Sequence, residues 1–360
     1  MKIVLATGIY SPDIGGPATY CAELAKQLTN AGHNVTIITY GKNQNDSIVR
    51  VPLGLPFLRW IHYAQALQKH GKDADIVYAF SSVSCGIPLI LAQLKKPKKI
   101  LRLGGDFFWE RYTDRGGRLG LRMWYKNRRL HFSSWIMYFI LKRFDHIVFS
   151  TAFQQEIYKK HYKKLPSNSV IENALPPQVV NAQSETRAKH SPFRLLFMGR
   201  FVQFKNLQML LKAMTKLTDV RLTFVGDGPL AKSLQKSAND LLLEKRVTFL
   251  PSVSGEEKAR VFQEYDLLII PSITDISPNT ALEACAAGMP VLLTTETGLR
   301  GHLVNGMKLV KMKESIDIVR AVSDAKSNYD TLVSMMPGPV EQRSWKVVVD
   351  EHISFFSTLL

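Results

Sequence analysis

The sequence predicts an α/β protein made of two doubly wound, Rossmann-like domains. Three observations carry that expectation. Short β-branched apolar runs alternate with helical stretches through the first half, the polar and Pro-rich stretch ENALPPQVVNAQSETRAKHSP interrupts them, and the alternation restarts at Phe193. Apolar runs separated by helices mark a parallel sheet covered on both faces. The domains are expected at 1–180 and 190–343, with a C-terminal helix at 344–360 packing back on the first. Ligands of such sheets bind beyond the carboxyl ends of the strands, so two facing domains are expected to place a cleft between them.

The elements follow in order. KIVLAT reads as the first strand, YSPDIGGP as a Gly/Pro loop, and ATYCAELAKQLTNAG as a helix with apolar positions at Cys21, Leu24, Ala25 and Leu28. Gly32 stops that helix before the strand NVTIITY. DIVYAF, KKILRL and DHIVFS are further strands. In the second half FRLLFMGR, RLTFVGDGP, VTFLPSV, DLLIIPS and MPVLLTT read as strands. NLQMLLKAMTKL, AKSLQKSANDLLL and a segment from about Pro278 to Ala287 read as helices.

Composition excludes several classes. The 360 residues are 46% hydrophobic and 21% charged, which rules out wholesale disorder and fibrous proteins. No stretch of about 20 apolar residues could span a bilayer. The opening MKIVLATGIY reads as a buried strand rather than a signal peptide, and three scattered cysteines (Cys21, Cys85, Cys285) suit a reducing compartment. A cytoplasmic location is expected. The net charge is +17, and from Lys95 to Lys164 there are 18 Lys/Arg against five acids, so +13 of it sits in one fifth of the chain. Such a field implies an anionic partner.

Four segments could carry chemistry. Gly15 and Gly16, after the first strand, would let backbone amides approach a phosphate at a helix N-terminus, or simply make a tight turn. Arg200 and Lys205 in MGRFVQFKNL could neutralise a diphosphate, or form a solvated charge pair. Gly226, Asp227 and Gly228 form a turn that would admit a flat base or ribose, and an ordinary turn fits equally well. In SITDISPNTALEACAAGMPV, Asp275 and Glu283 stand eight apart around a helix start at Ser277-Pro278. The amides there, with Asn279 and Thr280, would hold an anion, and Glu283 could accept bonds from sugar or ribose hydroxyls. Asp73-Ala74-Asp75 matches a metal signature but is better read as a loop turn, and the nine histidines lack metal-ligand spacing.

These segments, in this order, resemble the retaining glycosyltransferases of family 4 (group 1), which have the two-domain GT-B fold. YSPDIGGPATYCAELAKQLTNAGHNVTIIT is similar to their opening strand, glycine loop and helix. MGRFVQFKNLQMLLKAM is similar to their donor-phosphate segment, FVGDGP to their nucleotide-side turn, and TDISPNTALEACAAGMPVLLT to their carboxylate-x7-carboxylate motif. The resemblance implies that Arg200 and Lys205 grip the donor diphosphate, that Glu283 holds the ribose, and that Asp275 with the amides through Asn279 and Thr280 faces the transferred sugar. It implies a nucleotide-diphosphate-sugar donor, no cofactor and no metal, because fixed cations and helix amides stabilise the departing diphosphate.

The sequence departs from the family at three places. The first carboxylate is Asp275 rather than Glu. Gly104-Gly105-Asp106 stands where a histidine is common, so Asp106 either takes over sugar contact or proton handling or caps a turn. ETGLRGHLVNG, with His302, replaces the expected glycine-rich segment. The basic and aromatic segment 111–143 fits an acidic membrane surface or a phosphorylated lipid-linked acceptor, or else a half-buried helix with a basic rim. No nucleic-acid-binding motif is present. The expected activity is sugar transfer to a glycan or lipid-linked acceptor, in the cytoplasm and peripherally at the inner membrane face. The alternative is a catalytically weak relative that binds polyanions or a membrane surface.

Overall fold

The structure, a computed structural model, describes residues 1–11, 15–42, 48–127, 132–174, 189–336 and 343–360. The chain divides into two compact units. The first holds Met1–Trp109, Arg122–Ala174 and Arg343–Leu360; the second holds Glu110–Leu121 and Leu175–Gln342.

The first unit is built on parallel strands β1 (Lys2–Ala6), β2 (Asn34–Tyr40), β3 (Ile48–Val51), β4 (Ile76–Ala79), β5 (Lys98–Leu103), β6 (His146–Phe149) and β7 (Ser167–Val170). Their order in the sheet is β3-β2-β1-β4-β5-β6-β7. The connecting helices are α1 (Gly16–Asn30), α2 (Pro56–Gly71), α3 (Gly86–Leu91), α4 (Phe107–Asp114), α5 (Leu121–Asn127), α6 (Phe132–Leu141) and α7 (Ala152–His161). Central β4 is buried at every position, as a strand covered on both faces requires. In α1 the residues Cys21, Leu24, Ala25 and Leu28 are buried, and Gly32, at φ +82°, supplies the left-handed residue beyond the helix end.

The second unit has strands β8 (Phe193–Met198), β9 (Val220–Val225), β10 (Val247–Leu250), β11 (Leu267–Ile270), β12 (Val291–Thr294) and β13 (Met307–Val310), in the order β10-β9-β8-β11-β12-β13. Its helices are α8 (Leu207–Met214), α9 (Ala231–Asp240), α10 (Gly255–Glu264), α11 (Asn279–Ala286), α12 (Ser315–Ser327) and α13 (Tyr329–Ser334). Alternate residues of each central strand serve two separate cores. Leu195, Phe197, Leu267 and Ile269 join one; Leu196, Met198, Leu268 and Ile270 join the other. That period of two explains why these strands read as unbroken apolar runs. Helix α14 (Trp345–Leu359) returns to the first unit, where Val348, Val349 and Phe356 pack with Ile3, Leu24 and Tyr78.

Two expectations need adjustment. The first domain was expected to contain all of 1–180, yet Glu110–Leu121 belongs to the second unit. Its stretch RGGRLG has no apolar stripe to bury, whereas its polar groups find partners there: the Leu121 amide donates to Thr274 Oγ1 at 2.9 Å and Arg118 pairs with Glu314 at 3.4 Å. In addition β3, β7 and β13 are strands that the sequence reading did not single out. Residues 175–188 of the expected linker lie outside the described residues.

Candidate functional site

The order of the second sheet reverses at β8, which pairs with both β9 and β11. Loops leaving the carboxyl ends of these strands therefore diverge there, the usual place for a ligand in an open α/β sheet. Arg200 and Lys205 follow β8, Gly226–Gly228 follows β9, and Asp275 follows β11. The Ile273 amide donates to the Phe204 carbonyl at 2.8 Å, tying the β8 and β11 loops together.

Lys205 ends a short 3-10 turn, and the next residue, Asn206, is left-handed at φ +61° and starts α8. The Asn206 side chain donates to the Met312 and Lys313 carbonyls at 2.9 and 3.3 Å, which fixes the turn. Lys205 Nζ lies 2.7 Å from Asp275 Oδ2, and Ser272 Oγ donates to the same oxygen at 2.8 Å. The Asp275 backbone is held as well: its amide donates to the Glu296 carbonyl, and the Gly298 amide donates to its own carbonyl. The carboxylate is thus a buried, oriented group with one cation and one hydroxyl on a single oxygen. Arg200, by contrast, is exposed and has no ion-pair partner among the described residues.

Helix α11 starts at Asn279 with Pro278 at its cap position, and no side chain caps it among the described residues. Its positive end, with Ser277, Asn279 and Thr280, stands a few residues beyond Asp275 and can receive an anion. Glu283 lies one turn further on and is paired with Lys258 of α10, a residue that sequence reading missed. Nothing in the sequence pointed to Lys258, since a lysine on an amphipathic helix ordinarily faces solvent.

Gly226 and Gly228 have a packing role that a turn motif alone does not reveal. A Cβ on Gly226 would stand 2.1 Å from the Gly199 carbonyl oxygen, and one on Gly228 would stand 2.6 to 2.9 Å from the Phe201 backbone. The Phe201 amide donates to the Asp227 carbonyl at 2.8 Å. The two loops that carry Arg200 and Asp227 are therefore laid against each other backbone to backbone.

The remaining expected residues fall in the first unit. The Gly15 carbonyl accepts from the Ala18 and Thr19 amides at the start of α1, while a Cβ on Gly16 would meet nothing within 4 Å. Asp106 follows β5 and is buried. It accepts from Tyr125 and Tyr158 hydroxyls at 2.6 and 2.7 Å and from the Trp109 amide at 2.9 Å. Burial raises its pKa, opposed by those hydrogen bonds. Of the two readings held open for Asp106, this environment fits the turn cap. Asp75 accepts from the Lys2 amide at 2.8 Å in the turn before β4, as a loop carboxylate does. The side chain of His302 lies outside the described residues.

The family model described as Glycosyl transferases group 1 matches residues 181–336, and that described as Glycosyltransferase Family 4 matches residues 14–179. An uncharacterized glycosyltransferase of Methanocaldococcus jannaschii is 25% identical across 99% of this chain and 98% of its own length. The D-inositol 3-phosphate glycosyltransferase of Mycobacterium sp. (strain KMS) is 34% identical over 45% of this chain, which is 36% of that protein. Among solved structures, sucrose-phosphate synthase of Thermosynechococcus elongatus superposes with a TM-score of 0.76 at 17% identity, covering 99% of this chain and 98% of that one. Anabaena HepE, solved with UDP and glucose, gives 0.72 at 17% identity with both chains fully covered. The chain has the GT-B fold and belongs to the group 1, family 4 glycosyltransferases.

Proposed function

We propose that the protein transfers a sugar, with retention of configuration, from a nucleotide-diphosphate-sugar to a glycan or lipid-linked acceptor in polysaccharide or glycoconjugate synthesis. The observation that carries this reading is the convergence of Lys205, Asp275 and the α11 start at the switch point of one sheet, with exposed Arg200 on the adjoining loop. Departure of a nucleoside diphosphate builds negative charge on its oxygens. Arg200, as a forked donor, and Lys205, as a point charge, offset that charge as it develops, and the α11 amides add to them. These groups make a metal unnecessary in this reading. Glu283 takes the ribose hydroxyls, exchanging its bond to Lys258 for them. Asp275 faces the sugar from a fixed position. A structural neighbour solved with UDP-glucose supports a nucleotide sugar as the donor. The reaction is placed in the cytoplasm, with no nucleic acid involved.

The test is to incubate the purified protein with α-linked nucleotide sugars and candidate acceptors, with and without EDTA. Released nucleoside diphosphate is measured, and the product's anomeric configuration is read by NMR. An α-linked product formed equally in EDTA supports the reading. A β-linked product refutes retention, EDTA-sensitive turnover refutes metal independence, and no turnover with any donor favours a binding protein on an enzyme scaffold.

A further inference from the structure

The first unit carries an apolar face that its core does not use. On α6 the buried positions are Ser134, Met137, Ile140 and Leu141. Away from them, Phe132 (73% exposed), Trp135 (62%) and Phe139 (45%) stand in solvent. The three rings stack in a row, with centroids 6.1 and 6.2 Å apart. Cations border the row: the Arg143 guanidinium lies 4.5 Å over Phe139, and Lys142 Nζ lies 4.4 Å over Tyr138. A second exposed apolar group, Leu53, Leu55, Phe57 and Leu58, stands at the start of α2. Helices α2 and α6 each lead into a parallel strand, β4 and β6, so both start at the carboxyl end of the sheet. Helix α3 packs on both.

Neither α2 nor α6 carries an acidic side chain. No Asp or Glu occurs from Ile48 to Lys72 or between Asp114 and Asp145, and Lys142 and Arg143 follow the end of α6 beside Phe139, the last ring of the row. A row of exposed rings along a helix that carries no carboxylate, bordered at its end by lysine and arginine, matches the chemistry of an anionic bilayer interface. Aromatic rings favour the headgroup level, and each cation near the surface is attracted by acidic lipid.

We propose that this face of the first unit docks on an anionic lipid bilayer, with Phe132, Trp135 and Phe139 entering the headgroup layer and Lys142 and Arg143 meeting lipid phosphates. The surface is narrower than the basic segment 111–143 suggested, because residues 111–121 belong to the second unit. It is independent of the transfer reaction proposed above. No helix among the described residues is long and apolar enough to cross a membrane, so the contact is interfacial.

The full-length protein is mixed with vesicles of phosphatidylcholine alone or with added phosphatidylglycerol, and binding is followed by co-sedimentation and tryptophan fluorescence. Of the five tryptophans Trp109 and Trp124 are buried, Trp60 and Trp345 half-buried and Trp135 exposed, so Trp135 should give most of a blue shift on binding, and Trp135→Phe should remove most of it. Binding is expected only with phosphatidylglycerol and is expected to weaken with salt. The variant Trp135→Ser/Phe139→Ser should bind at least tenfold more weakly with an unchanged thermal midpoint, since both rings lie outside the core. Lys142→Glu/Arg143→Glu should do the same. The proposal is overturned if wild type ignores phosphatidylglycerol vesicles or if the serine variant binds them equally. It is also overturned if light scattering shows a dimer that the serine variant dissociates, since a second copy would then cover the face.

Discussion

Replacing Lys205 by methionine probes the centre of the site. The ammonium is 2.7 Å from Asp275 Oδ2, and the two side chains are only 18% and 7% exposed. Fully exposed pairs contribute about 0.2–1 kcal/mol, whereas removing one partner of a buried pair costs about 3–5 kcal/mol. The Lys205–Asp275 pair lies between these limits, so Lys205→Met should cost about 2–3 kcal/mol, with Ser272 still donating one hydrogen bond to the stranded carboxylate. For a unit of this size each kcal/mol moves the midpoint by about 2–4 °C, giving a fall of about 4–12 °C. Asp275→Asn should cost less, because the longer lysine can turn its ammonium toward water. The double variant should be less damaged than the sum of the singles, by about 1–2 kcal/mol. Differential scanning calorimetry of the four proteins measures this cycle. A change below about 1 °C in Lys205→Met, or additive singles, would refute the claim that the pair is buried and coupled. The pair also competes with the donor for the lysine. Asp275→Asn should therefore bind free nucleoside diphosphate more tightly than wild type while turning over more slowly, as isothermal calorimetry and rate assays can check.

Other outcomes follow from the same geometry. Arg200→Ala should lower turnover by about 100-fold or more, as losing a donor to a developing charge does, while leaving the midpoint unchanged because the side chain is exposed; a kinetic assay beside a melting curve separates the two. Gly226→Ala puts a Cβ 2.1 Å from the Gly199 carbonyl and should cost about 1–3 kcal/mol of stability and weaken donor binding. Asp106→Ala removes the acceptor of two tyrosine hydroxyls and one amide and should cost about 3 kcal/mol or more in thermal unfolding. Acid should destabilise the first unit. Burial and nearby Arg102 hold His352 down at about 3, and burial holds His146 at about 4, both from 6.5. A group whose folded pKa is lowered takes up its proton first in the unfolded chain, so stability is intact above about pH 6.5 and falls as pH drops toward these values. His352→Phe should flatten that slope in a pH series of melting curves.

Much of the fold was legible because buried parallel strands announce themselves: Ile76–Ala79 and Leu267–Ile270 are apolar at every position and bounded by loops. Two of the edge strands were not. Ser167–Val170 and Met307–Val310 pair on one side only, contain no fully buried residue, and so carry no apolar run. In the site, the residues with a spacing signal, Asp275 and Glu283, and the cations after β8 were readable from sequence. The groups that orient them were not, because Ser272, Thr274 and Lys258 reach their partners only after the loops of different strands are brought together. The two tyrosine hydroxyls that donate to Asp106, from Tyr125 and Tyr158, lie likewise 19 and 52 positions away.

Whether the second unit holds a nucleotide-sugar site built on Arg200, Lys205 and Asp275 is decided by thermal unfolding with UDP-, GDP-, ADP- and dTDP-sugars, each with magnesium or EDTA. At 100 times its dissociation constant a ligand adds about 2.7 kcal/mol to the folded state. A raised midpoint is expected with one nucleotide family, equal with magnesium and EDTA, and lost in Arg200→Ala/Lys205→Ala. An unmoved midpoint with every donor, or an equal rise in the double variant, would contradict it.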